Sequence, residues 1–279
     1  MNNRVNWIAA AVLALGVTCA WAEEAMPDMD HGAMDHGSMQ GGSAPPDARD
    51  PHAYSGGHDF GPILRPRMGD EENFGSLLID RLERVRTQSN ASTAYDMRAR
   101  FGRDYDRAVL KAEGDIDGGK FQDARTELLW GHALATYWDT QLGVRYDSGA
   151  DPARTWLAFG IQGLAPYWFE VDATAYVGAE GRAAFRFAAE YELLLTQQLM
   201  LQPRMEANVY GRQDAARALG SGLSDLAVGV RLRYEIRREI APYIGVERAA
   251  RFGGTADYAR AAGEDAKATQ FVAGVRFWY

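Results

Sequence analysis

Cysteine is nearly missing from this chain: the one among its 279 residues, Cys19, sits inside an apolar leader. Beyond that leader no disulfide and no thiolate site can form, so any metal ligands must be Met, His or carboxylate. Long apolar runs are missing too. After the first twenty residues nothing approaches the ~18–20 apolar residues of a spanning helix, which excludes a helical membrane protein. There is no basic cluster and the formal net charge is −8, which argues against nucleic acid as a partner. Catalytic signatures are also scarce. Neither G-x-S-x-G nor H-E-x-x-H occurs, and the single histidine beyond residue 58, His132, falls on the apolar face of its segment. A non-enzyme is the expectation, because hydrolases of this kind need a base beside a nucleophile.

What is present begins with a secretory leader. Arg4 gives a positive start, Trp7 to Val17 an apolar stretch, and Ala20-Trp21-Ala22 an A-x-A cleavage site. Residues 1–22 are read as a signal peptide cut after Ala22. A lipoprotein reading of Cys19 fits worse, since Gly16-Val17-Thr18 is a poor approach to such a cysteine.

The remainder divides by composition. Residues 23–72 are rich in Gly, Pro, Asp, Met and His and show no period of 3.6 or 2, which predicts a disordered tail and linker. From residue 73 onward, short alternating segments are separated by polar turns. In 224–234, Leu226, Val228, Val230, Leu232 and Tyr234 take one face, while Asp225, Arg231 and Arg233 take the other. Segments 168–178 and 183–194 alternate in the same way. Alternation over nine to eleven residues exceeds the ~5–6 of soluble strands and suits a tilted strand crossing a bilayer.

The expected fold is therefore all-β: a transmembrane antiparallel up-and-down barrel over 73–279, with twelve strands. The segments are 74–84, 91–102, 106–116, 123–134, 138–147, 155–164, 168–178, 183–194, 198–209, 224–234, 239–248 and 268–279. The first departs from alternation, because Asp80, Arg81, Glu83 and Arg84 crowd its second half. If both ends of the barrel are periplasmic, the five short turns near 103–105, 135–137, 165–167, 195–197 and 235–238 share that side. The long connections 210–223 and 249–267 then lie opposite. Trp138, Tyr146, Trp168, Tyr243 and Trp278 are expected in aromatic girdles, and Phe271 to Tyr279 alternate up to a terminal aromatic, as a closing strand should. Glu170, Asp172, Glu190, Glu192, Arg204, Glu206, Arg231, Arg233 and Glu247 are expected to form a network in the lumen. A soluble sandwich is the competing fold.

The chemistry concentrates in the tail. Met29-Asp30-His31-Gly32-Ala33 is followed by Met34-Asp35-His36-Gly37-Ser38, with Met26 before and Met39 after. Thioether suits soft Cu(I), imidazole serves either copper state, and carboxylate favours Cu(II). Met26, Met29, His31, Met34, His36 and Met39 are thus candidate copper ligands. Cu(I) is favoured and Cu(II) remains open. His52 and His58, across a Gly-Gly hinge, are a candidate second station or a segment at the barrel mouth. His132, Met97 and Met205 are read as interfacial or lipid-facing rather than as ligands.

Several motifs together resemble the copper resistance protein B family. They are the Met-Asp-His-Gly repeats, Asp50-Pro51-His52-Ala53-Tyr54-Ser55-Gly56-Gly57, and Tyr137-Trp138-Asp139 with Gly143-Val144-Arg145-Tyr146-Asp147. Ala241-Pro242-Tyr243-Ile244-Gly245-Val246-Glu247 and Gly274-Val275-Arg276-Phe277 complete the set. The resemblance implies an outer-membrane protein of a Gram-negative copper resistance system, working beside a periplasmic multicopper oxidase and periplasmic copper carriers. Its short tail, with two clear repeats, favours capture or hand-over of one or two ions over bulk storage. The alternative function is a general small-solute porin whose tail is incidental.

Overall fold

The computed structural model describes residues 72–88 and 90–279. The candidate ligands Met26, Met29, His31, Met34, His36, Met39, His52 and His58, and the leader with its cleavage site, lie outside the described residues.

Among the described residues, twelve antiparallel strands follow one another around a closed sheet. They are β1 (Phe74–Arg86), β2 (Ala91–Gly102), β3 (Asp106–Asp117), β4 (Lys120–Ala135), β5 (Trp138–Ser148), β6 (Arg154–Ala165) and β7 (Phe169–Gly178). Then come β8 (Ala183–Glu190, resuming as Leu193–Leu194), β9 (Leu199–Tyr210), β10 (Gly222–Tyr234), β11 (Ile240–Arg251) and β12 (Lys267–Trp278). β12 pairs with β1 to close the ring, and at the seam Leu77 and Tyr279 exchange backbone hydrogen bonds of 2.8 Å each. Both ends of the barrel chain emerge on the side of the short turns, called here the terminal end. The longer connections lie at the opposite, loop end.

The polarity of the wall separates this barrel from a soluble sandwich. Leu110, Leu128, Leu142, Leu157, Ile244 and Phe271 point outward and are 45–66% exposed. Glu83, Glu127, Arg145, Asp172, Arg186, Arg231 and Arg233 point inward and are buried. Soluble proteins seldom expose such a continuous apolar belt, whereas a lipid-facing wall requires one. Outward aromatics gather near both rims: Phe101, Tyr105, Trp130, Tyr137, Trp168, Tyr234 and Trp278 at the terminal end, and Phe121, Tyr146, Phe185 and Phe271 at the loop end. Tyr243 is a correction to the expected girdle. It is buried in the lumen, and its hydroxyl donates to Glu83 at 3.0 Å. Trp138 lies against Gly163, where a Cβ would sit 2.8 Å from the indole; glycine there gives the ring its seat on the next strand.

Three local features refine the expected strands. First, a bulge between Ile79 and Leu82 shifts the register of β1 against both neighbours. Leu78 and Asp80 line the lumen below the bulge, and Arg81, Glu83 and Val85 line it above. The crowding of charge in β1 is thus a change of phase, which lets two adjacent polar residues face inward. Second, β8 breaks at Tyr191 and Glu192 rather than running unbroken over 183–194. Tyr191 donates to the carbonyl of Pro203 on β9 at 3.1 Å, but proline has no N–H to return the bond. Third, the connection expected over 249–267 carries a helix, α1 (Gly253–Ala261).

Candidate functional site

The lumen is the candidate site, and alternation along the strands dictates what enters it. Glu206 on β9 sits near its centre. Arg186 of β8 donates to it through Nε (2.9 Å) and Nη2 (3.0 Å), and Arg204 through Nη2 (2.8 Å). Arg125 of β4 approaches it at 3.6 Å and also pairs with Glu113. Arg186 reaches across to Glu113 on β3 at 3.0 Å. Charges removed from water are tolerated only when paired and hydrogen-bonded. This group meets that condition by sharing two carboxylates among three arginines and so ties β3, β4, β8 and β9 across the interior.

Three further clusters adjoin it. Arg231 on β10 makes a two-point bond to Glu83 (3.1 and 2.8 Å) and a third to Glu247 at 3.2 Å. Lys111 on β3 donates to Asp172 at 2.7 Å and to Gln141 at 2.8 Å. Arg145 on β5 grips Asp147 at 2.7 and 3.0 Å and stands 4.5 Å from the Tyr176 ring centroid. The Tyr176 hydroxyl donates to Glu127 at 2.7 Å. Planar guanidinium forks suit these bidentate, partly stacked sites, and lysine would not replace them.

Space in the lumen is distributed unevenly. Toward the loop end lies a cavity of about 510 Å³ bordered by Glu83, Asp115, Asp123 and Glu247. A wider one of about 990 Å³ is bordered by Asp117, Arg217, Arg248 and Glu264. Toward the terminal end the cavities shrink to about 80 Å³, beside Asp96, Lys111 and Glu170, and about 10 Å³, beside Arg204, Arg231 and Arg233.

The loop end is partly roofed. Asp214, in the connection before β10, takes two bonds from Arg154 (2.8 and 3.2 Å), with Arg182 at 3.7 Å. The Arg154 hydrogen bond is the main reason its carboxyl lies below the usual carboxylate range. Arg217 from the same connection donates to the carbonyls of Ala150 (3.0 Å) and Pro152 (3.2 Å) and to Asp123 (3.3 Å). Thr255 of α1 accepts from the Gly220 N–H at 2.8 Å.

The remaining sequence readings can now be placed. His132 faces outward near the terminal rim, bonded to Asp106 at 2.9 Å and tilted against Trp130 with centroids 5.5 Å apart. Met97 and Met205 are outward and exposed, as expected. The expected lumenal charges do face inward, and Arg233 pairs with Glu192 at 2.6 Å. One soft atom escaped notice. Met200 is buried on the inner wall with its sulfur 3.2 Å from Arg233 Nη2. The signal was there, since Met200 shares its face with Gln202, Arg204 and Glu206. Among the described residues no three His, Cys, Asp or Glu side chains gather in a metal-holding group.

Comparison with known proteins bears on this lumen. Residues 73–279 match the family model described as copper resistance protein B precursor. Copper resistance protein B of Escherichia coli is 45% identical over 203 residues, covering 73% of this chain and 69% of its own. A copper resistance protein B homolog of Pseudomonas syringae pv. tomato is 38% identical over 274 residues, covering 97% of this chain and 93% of its own. Among solved structures, a NanC porin aligns over 72% of this chain and 98% of its own, with 13% identity and a TM-score of 0.48.

Proposed function

This chain belongs to the copper resistance protein B family, and from that premise we propose that it is a binding protein that captures copper at the terminal end of an outer-membrane barrel. The copper is cargo, held first by the soft ligands of the tail and then sequestered or passed across the outer membrane. The observation that carries this reading is the tandem Met-Asp-His-Gly repeat in a chain of this family. Met26, Met29, His31, Met34, His36 and Met39 form the capture set, and His52 and His58 a second station. Cu(I) is the favoured state, since thioethers outnumber imidazoles in this set, four to two. With the tail joined to β1 at the terminal end, capture is periplasmic. A multicopper oxidase and copper carriers of the same compartment are the partners that would supply or share the metal.

The experiment is a Cu(I) competition titration of the mature protein with and without residues 23–59. Deletion should abolish tight binding. Binding that survives deletion would move the ligands into the barrel and overturn the tail assignment. The loop-end cavities of about 510 and 990 Å³ favour a second reading, a small-solute porin. Planar-bilayer conductance distinguishes the two, because a porin conducts without copper and regardless of the tail.

A further inference from the structure

One small cavity of the lumen has an unusual lining. It measures about 10 Å³ and is walled by Arg81, Arg204, Arg231, Arg233 and Arg276, with Asp80, Glu190, Gln202 and Tyr243. Each arginine is paired on one side: Arg81 with Asp96, Arg204 with Glu206, Arg231 with Glu83, Arg233 with Glu192 and Arg276 with Asp80. Four of them keep a solvent-inaccessible nitrogen with no hydrogen-bond partner among the described residues. These are Arg81 Nε, Arg204 Nη1, Arg231 Nη1 and Arg233 Nε. The Arg231 and Arg233 side chains are only 4% and 1% exposed, so bulk water does not satisfy those donors.

We infer that this cavity is a binding site for a single small monatomic anion, of which chloride is the natural occupant. Its size admits one particle about as large as a water molecule, which leaves out sulfate, phosphate and carboxylate ligands. Hydrogen bonding decides between chloride and water. The arginine charges are balanced by their carboxylate partners, but the unsatisfied groups are all donors. A water accepts at most two hydrogen bonds and must give two away, whereas a halide accepts four or more and gives none. An unmade hydrogen bond on a buried guanidinium is costly, so the occupant that satisfies most donors is preferred. The bulge in β1 creates the site, because it turns Asp80 and Arg81 inward together.

The test uses the complete mature protein crystallised in bromide, with anomalous scattering read at the bromine edge. A bromide peak bounded by Arg204, Arg231 and Arg233 is expected. Water density with no anomalous signal would overturn the assignment. A second measurement guards against crystal effects and against poor folding of variants. The unfolding midpoint of the wild-type barrel in detergent should rise with the logarithm of chloride concentration at fixed ionic strength, sulfate being the balancing salt. In R204M that chloride dependence should disappear while the response to total ionic strength stays. Equal midpoints in chloride and sulfate for the wild type would refute the site.

Discussion

The two halves of the lumen are built from the same strands yet hold very different spaces. The loop half contains cavities of about 510 and 990 Å³, and the terminal half only about 80 and 10 Å³. Strand number sets the radius of a barrel wall, so the difference comes from side chains. In the terminal half and the middle, long arginines reach inward: those of β1, β8 and β10 lock onto carboxylates of other strands, and Arg204 of β9 onto Glu206 of its own strand. In the loop half the inward residues include short ones, Ser92, Ala94 and Gly114, which leave room. The comparison teaches that the width of this lumen is a property of an ion-pair network, and that removing members of the network should widen it.

The largest expected effect is at Glu206, which serves Arg186, Arg204 and Arg125 together. Glu206→Ala leaves three guanidiniums short of a partner and should cost about 3–5 kcal/mol in urea unfolding of the refolded barrel. A loss below about 1 kcal/mol would mean that water already screens the middle, and the two halves would differ in volume but not in polarity. Next comes Glu83→Gln, which keeps the shape but weakens the bonds from Arg231 and Tyr243. Here about 1–3 kcal/mol is expected, reduced because Arg231 retains Glu247. The smallest effect belongs to the roof of the loop half. Because Arg154 lowers the Asp214 carboxyl below the usual range, the pair stabilises the roof above the ordinary carboxylate pKa. That support is lost as pH falls through the lowered value. Relative to the intrinsic rate at each pH, the protection of amides 211–221 should fall on the order of a few-fold at acid pH, and D214N should show the lower protection at neutral pH already. Protection that does not change with pH in the wild type would detach the roof from Asp214.

Much of this wall was legible in the sequence because lipid outside and polar residues inside impose a strict period of two. Leu226 through Tyr234 and Phe169 through Val177 declare their faces without reference to any neighbour. What escaped depends on contacts between strands. The bulge at Asp80 and Arg81 reads as mere crowding until the register against Met97 and Phe277 is known. Tyr243 looked like a girdle residue because aromatics serve both rim and core, and only Glu83, 160 positions away, shows which. The break in β8 is caused by a proline on the opposite strand. Which arginine meets which carboxylate was not legible either, since Arg231 and Glu83 are separated by 148 positions. The proposed copper ligands pose the reverse case: the Met and His pattern is plain in the repeat, and it lies outside the described residues.

The seam between β1 and β12 has a consequence for how the protein is made. Leu77 and Tyr279 bond each other across the first and last strands of the barrel, so the ring cannot close until β12 has been made. Contacts of such long sequence separation form slowly. Until they form, both flanking strands present bare edges that invite pairing with other chains. Assembly must therefore follow synthesis rather than accompany it, and a guardian that shields the unclosed edges during transit is a requirement of the topology.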